Sequence, residues 1–129
     1  MSFDPAVIQY PPSVWEYTVD GWHIWAGRTS KDNDKLSIKV ARAKDWWFHV
    51  KGSPGSHVLL FVRDGVEPPS AVIKAAAAVA AWHSKQRNGG KVAVNVTRGE
   101  NVSKPRGARP GLVTIRKEKT LMVRPGVPD

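Results

Sequence analysis

The side chains best suited to catalysis or metal binding lie in one segment, DWWFHVKGSPGSHVLLFV, which runs from Asp45 to Val62. Its two histidines are His49 and His57. Together with the Asp45 carboxylate and the Ser56 hydroxyl, they could form a nucleophile with its base or a two-histidine, one-carboxylate metal site. The spacing argues against both, because no HxH or HExxH motif occurs and adjacent strand residues point to opposite faces. The absence of cysteine also excludes thiolate catalysis. We therefore expect no catalytic residue, no metal and no cofactor.

The same segment alternates on both sides of a Gly-Ser-Pro-Gly turn, which predicts a β-hairpin. Pairing Lys51 with Ser56 closes the turn in the register that we prefer. That register gives the hairpin two faces, one with Trp46, Phe48, Val50, His57, Leu59 and Phe61 and the other with Trp47, His49, Lys51, Ser56, Val58 and Leu60. A bulge at either turn glycine would instead bring His49 and His57 onto one face, so that pairing stays open.

Charge is distributed unevenly along the chain. The 129 residues are 41% hydrophobic, which suits one globular domain, and they carry a formal net charge of +9. Up to Ile73 there are eight Lys and Arg against eight Asp and Glu, whereas from Lys74 onward there are twelve against three. A one-sided cationic surplus favours a polyanionic partner, nucleic acid before membrane. Because no apolar run approaches roughly 18 residues and the start lacks a signal-peptide pattern, we expect a cytoplasmic protein without a membrane partner.

The first third of the chain predicts an arm, a hairpin and a short helix. Residues 1–13, with three prolines, predict an extended arm, and the Asp-Gly pair between WEYTV and WHIWA predicts a hairpin over residues 14–26. The short helix is expected over about residues 33–42, capped by Asp32 or Asn33, with Leu36 and Val40 one turn apart on its buried side.

The remaining chain predicts one long helix and further strands. An Ala-rich stretch after two prolines predicts a helix over about residues 70–86, ended by Asn-Gly-Gly. Its apolar stripe is expected to consist of Val72, Ala75, Ala76, Val79 and Trp82, with Ala81 on the opposite side. KVAVNVT predicts a half-buried strand, with its three valines toward the core and Ala93, Asn95 and Thr97 toward solvent. Residues 98–111 predict a polar cationic loop. Residues 111–116 and 120–124 predict a final hairpin. The expected architecture is α+β, a single domain with a mostly antiparallel sheet of about six or seven short strands.

Five blocks of the sequence resemble one known family. They are Gly27-Arg28 with Asn33-Asp34 and Leu36, DWWFH from Asp45, PGSHV from Pro54, AAxxAAWHS ending at Ser84, and KPRGARPG from Lys104. Their order is similar to that of the NFACT-R domain, the RNA-binding module of ribosome-associated quality-control factors once described as fibronectin-binding proteins. The resemblance places the domain at about residues 14–125, between the arm and a tail of residues 126–129.

The resemblance implies RNA binding, with ribosomal RNA or transfer RNA as the ligand and the large ribosomal subunit as a partner. Full-length factors of this kind also have an amino-terminal domain and a coiled coil. This sequence has neither, so we expect a stand-alone, monomeric and non-catalytic version, and the tailing activity of the full-length factors is not carried over.

Candidate RNA-contacting residues fall into two groups. Affinity for phosphates would come from cations of the loop and of the last hairpin, namely Arg98, Lys104, Arg106, Arg109, Arg116, Lys117 and Lys119. Selectivity would come from shape and from bases stacked on Trp47 and His49. His57 and Arg28 would act as hydrogen-bond donors nearby. Burial of Trp47 in the core and structural hydrogen bonds for the histidines remain open alternatives.

Two other functions use the same residues. One is a small metal-dependent or His-dependent enzyme acting on nucleic acid, which requires the fold to assemble the histidines with Asp45 and Ser56. The other is a duplex DNA-binding protein, since phosphate contacts alone do not distinguish DNA from RNA. The Gly-Ser-Pro-Gly turn has the GxxG spelling of a KH loop, but a KH loop joins two helices and here both flanks predict strands.

Overall fold

The chain folds into an antiparallel sheet covered on both faces, as shown by a computed structural model that describes residues 3–129. The strands in chain order are β1 (Val14–Val19), β2 (Trp22–Gly27), β3 (Trp46–Val50), β4 (Val58–Leu60), β5 (Val92–Arg98), β6 (Val102–Ser103), β7 (Thr114–Ile115) and β8 (Lys119–Val123). Within residues 3–129 the main sheet has the order β1-β2-β4-β3-β5-β8, and β6 pairs with β7 apart from it. The predicted α+β architecture is confirmed.

The first hairpin, β1 with β2, is confirmed. Val19 pairs with Trp22 across Asp20 and Gly21, whose φ angles are 49° and 82°. Two successive left-handed residues form the turn whose twist matches that of the flanking strands, and an Asp-Gly pair favours it.

The central hairpin, β3 with β4, has a register one residue away from the preferred one. Phe48 pairs with Val58 and Trp47 with Leu59, so the pairing of Lys51 with Ser56 is wrong. As a result His57 lies on the face that carries Trp47 and His49, opposite to the face expected for it. The alternative that the sequence leaves open, with His49 and His57 on one face, is confirmed.

The reason lies in the partners of the turn residues. The Lys51 N–H donates to the Ala93 carbonyl, and the Ser56 N–H donates to the His83 carbonyl. The Ser56 hydroxyl donates to the Gly27 carbonyl at 2.7 Å. The backbone N–H groups of Lys51 and Ser56 are thus satisfied by other elements, so these two residues do not bond to each other across the turn.

Helix α2 (Ser70–Trp82) covers one face of the sheet. Its core side is broader than the predicted stripe, because Ala77, Ala80 and Ala81 are also fully buried. The helix ends four residues before the predicted residue 86. His83 leaves the helical conformation (φ −91°, ψ 43°), and its ring stacks on Trp15 at 4.1 Å between centroids. The Asn-Gly-Gly sequence therefore does not end the helix.

A helical segment covers the other face. It begins as helix α1 (Ser30–Asp34) and continues as a π-helix over Lys35–Val40. The cap is Thr29, whose hydroxyl accepts the Asp32 N–H at 3.1 Å, so the prediction of Asp32 or Asn33 as cap is wrong. Sequence reasoning placed the helix start three residues too late, because Ser30 and Lys31 were read as loop.

Leu36 and Val40 of the π-helix are buried, as predicted. They pack in a second core cluster with Trp25, Trp47 and Leu59. The two clusters follow the alternation of side chains along the strands, since neighbouring residues such as Trp46 and Trp47 face opposite layers.

The C-terminal third differs from the predicted final hairpin. β7 pairs with β6, whereas β8 pairs with β5 at the edge of the main sheet. Residues 111–116 and 120–124 therefore belong to different sheets. Thr97, expected to face solvent, is 2% exposed, because it lies against the β6-β7 layer and its hydroxyl donates to the Arg116 carbonyl at 2.7 Å.

The predicted arm packs against the domain over its described part, and Met1 and Ser2 lie outside the described residues. The Phe3 ring lies 5.2 Å from that of Phe61. A 3-10 turn follows at Pro5–Val7. None of the helices within residues 3–129 is long and apolar enough to cross a bilayer.

Gly27 allows the close contact between β2 and α1, and replacing it tests this contact. A Cβ at Gly27 would lie 2.1 Å from Oδ1 of Asn33, the atom that accepts the His57 N–H. We expect Gly27→Ala to lower the free energy of unfolding by about 2 kcal/mol, measured by urea denaturation. Gly126→Ala, which places its Cβ in open space, is the control and should change it by less than about 0.5 kcal/mol. An equal loss of unfolding free energy in the two variants would show that Gly27 is not needed for the contact between β2 and α1.

Candidate nucleic-acid interface

The polar loop of residues 98–111 is fixed to α1 by one lysine. Nζ of Lys104 lies 3.1 Å from Oδ2 of Asp34 and donates to the Leu112 carbonyl at 2.7 Å. It also donates to the Arg109 carbonyl. The Gly111 N–H donates to Oδ1 of Asp34 at 3.0 Å. One carboxylate thus holds both a side chain and the backbone of the loop, so the loop has a defined position.

This anchoring leaves the loop arginines exposed and brings lysines of the helix beside the loop. Arg106 and Arg109 are exposed. Lys31, Lys35 and Lys39 line one shallow cavity with the anchor Lys104. We call this set the basic loop surface: Lys31, Lys35, Lys39, Arg106 and Arg109. It combines the exposed arginines of the loop with the lysines of the helix to which the loop is tied, and cations of this kind bind phosphates.

A second cationic feature is an apolar groove beside the start of α2. Trp46, Ile73, Val96 and Leu121 line its floor, and the groove has a volume of about 450 Å³. The rim carries cations, namely Lys74, Arg98, Lys117 and Lys119.

Arg98 is held over the floor of this groove. Its guanidinium carbon lies 3.5 Å from the centroid of the Trp46 ring. Nη2 donates to Oε1 of Glu67 at 2.8 Å, and Nη1 donates to the Lys44 carbonyl at 2.7 Å. Because these partners fix the guanidinium, Arg98 is less free than a flexible phosphate-binding arginine.

Trp47 and the histidines occupy the interior instead. Trp47 is 2% exposed and donates from Nε1 to the Ser37 hydroxyl at 2.8 Å. The same hydroxyl lies 2.7 Å from Nδ1 of His57, which is 3% exposed. The ring of half-buried His49 meets His57 edge to face at 5.4 Å. The expected stacking of a base on Trp47 is therefore wrong for this conformation, because the ring is enclosed, and His57 is equally enclosed as a donor.

Burial also sets the charge of these histidines. It lowers the pKa of His57 to about 4, with a further contribution from His49. Burial lowers the pKa of His49 as well. Both rings are neutral at pH 7, so neither adds positive charge to the surface.

The enzyme alternative depended on a cluster that the fold separates. The Asp45 carboxylate accepts the Val62 N–H at 2.7 Å and pairs with Nη2 of Arg63 at 2.9 Å. Ser56 is bound to the Gly27 carbonyl instead of a histidine. Among residues 3–129, no group of three His, Cys, Asp or Glu side chains is placed to hold a metal ion.

The other predicted contact residues lie on the surface. Arg28 is exposed, with its guanidinium carbon 4.8 Å from the Trp15 ring. Arg116, Lys117 and Lys119 are exposed around the turn before β8. Their contact with RNA stays a prediction.

Sequence reasoning missed Trp46 and four lysines of these surfaces: Lys31, Lys35, Lys39 and Lys74. The first three recur every fourth residue, which places them along one side of a helix. That spacing was a usable signal, but the balanced net charge of the first 73 residues concealed it. Trp46 was missed because the stacking candidates were chosen from the opposite face of its strand, which carries Trp47 and His49.

Comparison with known families decides what kind of domain this is. Residues 13–117 match the family described as the NFACT protein RNA binding domain. The chain belongs to this family. The resemblance carried by the five sequence blocks is thereby confirmed.

Relatives of this NFACT RNA-binding domain are larger proteins. The Rqc2 homolog RqcH of Streptococcus suis (strain 05ZYH33) is 40% identical over 102 residues, and that of Bacillus subtilis (strain 168) is 37% identical over 108. The matches cover 79% and 84% of this chain but 18% of each relative. The chain thus spans about a fifth of their length.

A solved structure shares the fold. It is the C-terminal part of the fibronectin/fibrinogen-binding protein from Streptococcus suis, which matches with a TM-score of 0.81 and 37% identity. The match covers 92% of this chain and 47% of that chain.

The buried His57 makes stability dependent on pH. The unfolded chain, with a His pKa of about 6.5, takes up a proton before the folded one, whose pKa is about 4. Stability that is fully present above pH 6.5 is therefore lost as the pH falls toward 4. We expect His57→Gln to reduce the loss between pH 7 and pH 4.5 by on the order of 2 kcal/mol, measured by urea denaturation at both values. An undiminished loss would contradict this role.

The anchor predicts how the loop responds to a protease. Within residues 104–110, trypsin can cut after Arg106 but not after Lys104 or Arg109, which precede prolines. We expect Asp34→Ala to release the loop and accelerate cleavage after Arg106 several-fold, measured by mass spectrometry of timed digests. Glu118→Ala, an exposed carboxylate in the turn before β8, is the control. Unchanged cleavage in Asp34→Ala would show that the loop is held by other contacts.

Proposed function

We propose that this NFACT RNA-binding domain is a non-catalytic module that binds ribosomal or transfer RNA through the basic loop surface. Membership of the family supports RNA as the ligand. The observation that carries the proposal is the bond of Lys104 to Asp34, because it ties the loop that contains both arginines to the helix that contains the lysines. Phosphates bound there would supply affinity with little sequence preference.

The names of the relatives support a proposal for the cellular context. Proteins named Rqc2 homolog RqcH share the domain, and we propose that this chain also acts in ribosome-associated quality control, in the cytoplasm and next to the large ribosomal subunit. We propose a monomer for this role. A duplex DNA ligand is the rival, and competition between RNA and DNA duplexes for the domain distinguishes the two.

Salt dependence measures how many phosphates the domain engages. Contact with about four phosphates predicts a slope near −3 in a plot of log K against log salt concentration. Titrating the domain with transfer RNA or ribosomal RNA fragments between low and moderate salt gives this slope. The absence of binding at the lowest salt would overturn the proposal.

Arg106→Ala with Arg109→Ala should flatten the slope by about 1.5, since each phosphate that the domain no longer neutralises removes about 0.7 to 0.9 from its magnitude. This pair keeps the Lys104 anchor, whereas adding Lys104→Ala also releases the loop. The control pair is Lys91→Ala with Arg124→Ala, because both residues are exposed beside the end of β5 opposite to the loop. Equal changes in the two pairs would mean that net charge, and not the basic loop surface, sets the affinity.

A further inference from the structure

The groove beside α2 has an unusual combination of an apolar floor and a cationic rim. The floor is formed by Trp46, Ile73, Val96 and Leu121, and of these only Val96 is buried. Three partly exposed apolar side chains thus face one concave space of about 450 Å³. A volume of this size accommodates a small planar ligand group.

The charges around the groove determine which sign of charge a bound ligand should carry. Lys74, Lys117 and Lys119 are exposed on the rim, and the Arg98 guanidinium lies between rim and floor. Glu67 pairs with Arg98 and partly neutralises it, whereas Lys74, Lys117 and Lys119 have no ion-pair partner among residues 3–129. The groove therefore favours a group with an apolar flat part and negative charge close to it.

Lys117 holds a strained backbone conformation at this rim. Its φ angle is 57°, in the left-handed region where glycine is favoured. A lysine in such a turn costs stability relative to glycine. Asp20 has the same conformation in the first hairpin turn, so this backbone belongs to the turn that places Lys117 on the rim.

From these features we infer that the groove binds an unpaired nucleobase of the RNA, with the adjoining phosphates on Lys74, Lys117 and Lys119. The Arg98 guanidinium stacked on Trp46 provides a flat surface, and bases stack on both arginine planes and aromatic rings. Charge complementarity favours a nucleotide over an apolar peptide, because an apolar peptide leaves the lysines unpaired. The inference rests on the proposed function and adds a site that reads single-stranded RNA.

A pair of oligonucleotides isolates the contribution of the base. One is a uridine decamer, and the other has the same backbone with abasic sites, so that the two differ only in bases. We expect the wild-type domain to bind the decamer at least about five-fold more tightly, as a single stacked base suffices for this ratio. Ile73→Gln, which places an amide in the floor, should bring the ratio close to one.

Two further variants separate the groove from the basic loop surface. Lys117→Gly removes a rim cation and relieves the left-handed backbone, so its affinity for the decamer should fall while its melting temperature stays equal or rises. Arg106→Ala with Arg109→Ala should weaken both oligonucleotides and leave their ratio unchanged.

Photocrosslinking of a 4-thiouridine decamer to the wild-type domain does not depend on any variant folding. Adducts on Trp46, Lys74 or Lys119 support the inference. Equal affinity for the two oligonucleotides, or adducts confined to other surfaces, overturns the base site while leaving phosphate binding intact. Failure of the domain to bind either oligonucleotide, transfer RNA or ribosomal RNA overturns the proposed function itself.

Discussion

The arrangement of this domain depends on one buried ion pair, that of Asp45 with Arg63. The Asp45 side chain is fully buried, and the Arg63 side chain is 14% exposed. The same carboxylate accepts the N–H groups of Arg42 and Val62, and the Asp45 carbonyl accepts the N–H of Gly99. A buried carboxylate is tolerated because each of its oxygens is bound by N–H donors. Asp45, which directly precedes β3, and Arg63 thereby connect the end of the π-helix with the residues that follow β4 and β5.

Beginning at Asp45, the register of the sheet determines where Trp46 and Arg98 of the proposed groove lie. Trp46 follows Asp45 directly and pairs with Arg98 across β3 and β5. Side chains of paired strand residues lie on the same face, so the tryptophan ring and the guanidinium meet. Trp47 points the other way and is enclosed by the π-helix. A shift of one residue would exchange the two tryptophans, and the groove would lose its aromatic floor.

Patterns within single elements were predictable from the sequence, and pairings between distant elements were not. The Asp20-Gly21 hairpin depends on local turn chemistry, and the long helix on its own periodicity. The register of β3 with β4 depends on bonds to α2 and β5, which no local pattern reveals. The end of α2 is likewise set by Trp15 and Tyr17 of a remote strand, with the Tyr17 hydroxyl 2.7 Å from Nε2 of His83.

The candidate site follows the same rule. The cations of the loop were visible from composition, whereas their anchor to Asp34 joins residues 70 positions apart. The helix lysines come close to the loop, and Trp46 to Arg98, only in the folded chain. The family resemblance identified RNA as the ligand class, but it did not say which cations are free to bind it.

Each face of the main sheet carries a helical segment, and this has a consequence for how such domains diversify. Domains of the RRM type read bases on an open sheet, so their recognition surface is also one side of a structural layer. Here the cations proposed to meet RNA lie on loops, on helix surfaces and on the groove rim, whereas the groove floor belongs to the first hydrophobic cluster. Substitutions of these cations can therefore change phosphate binding without weakening the packed interior, but substitutions of the floor cannot.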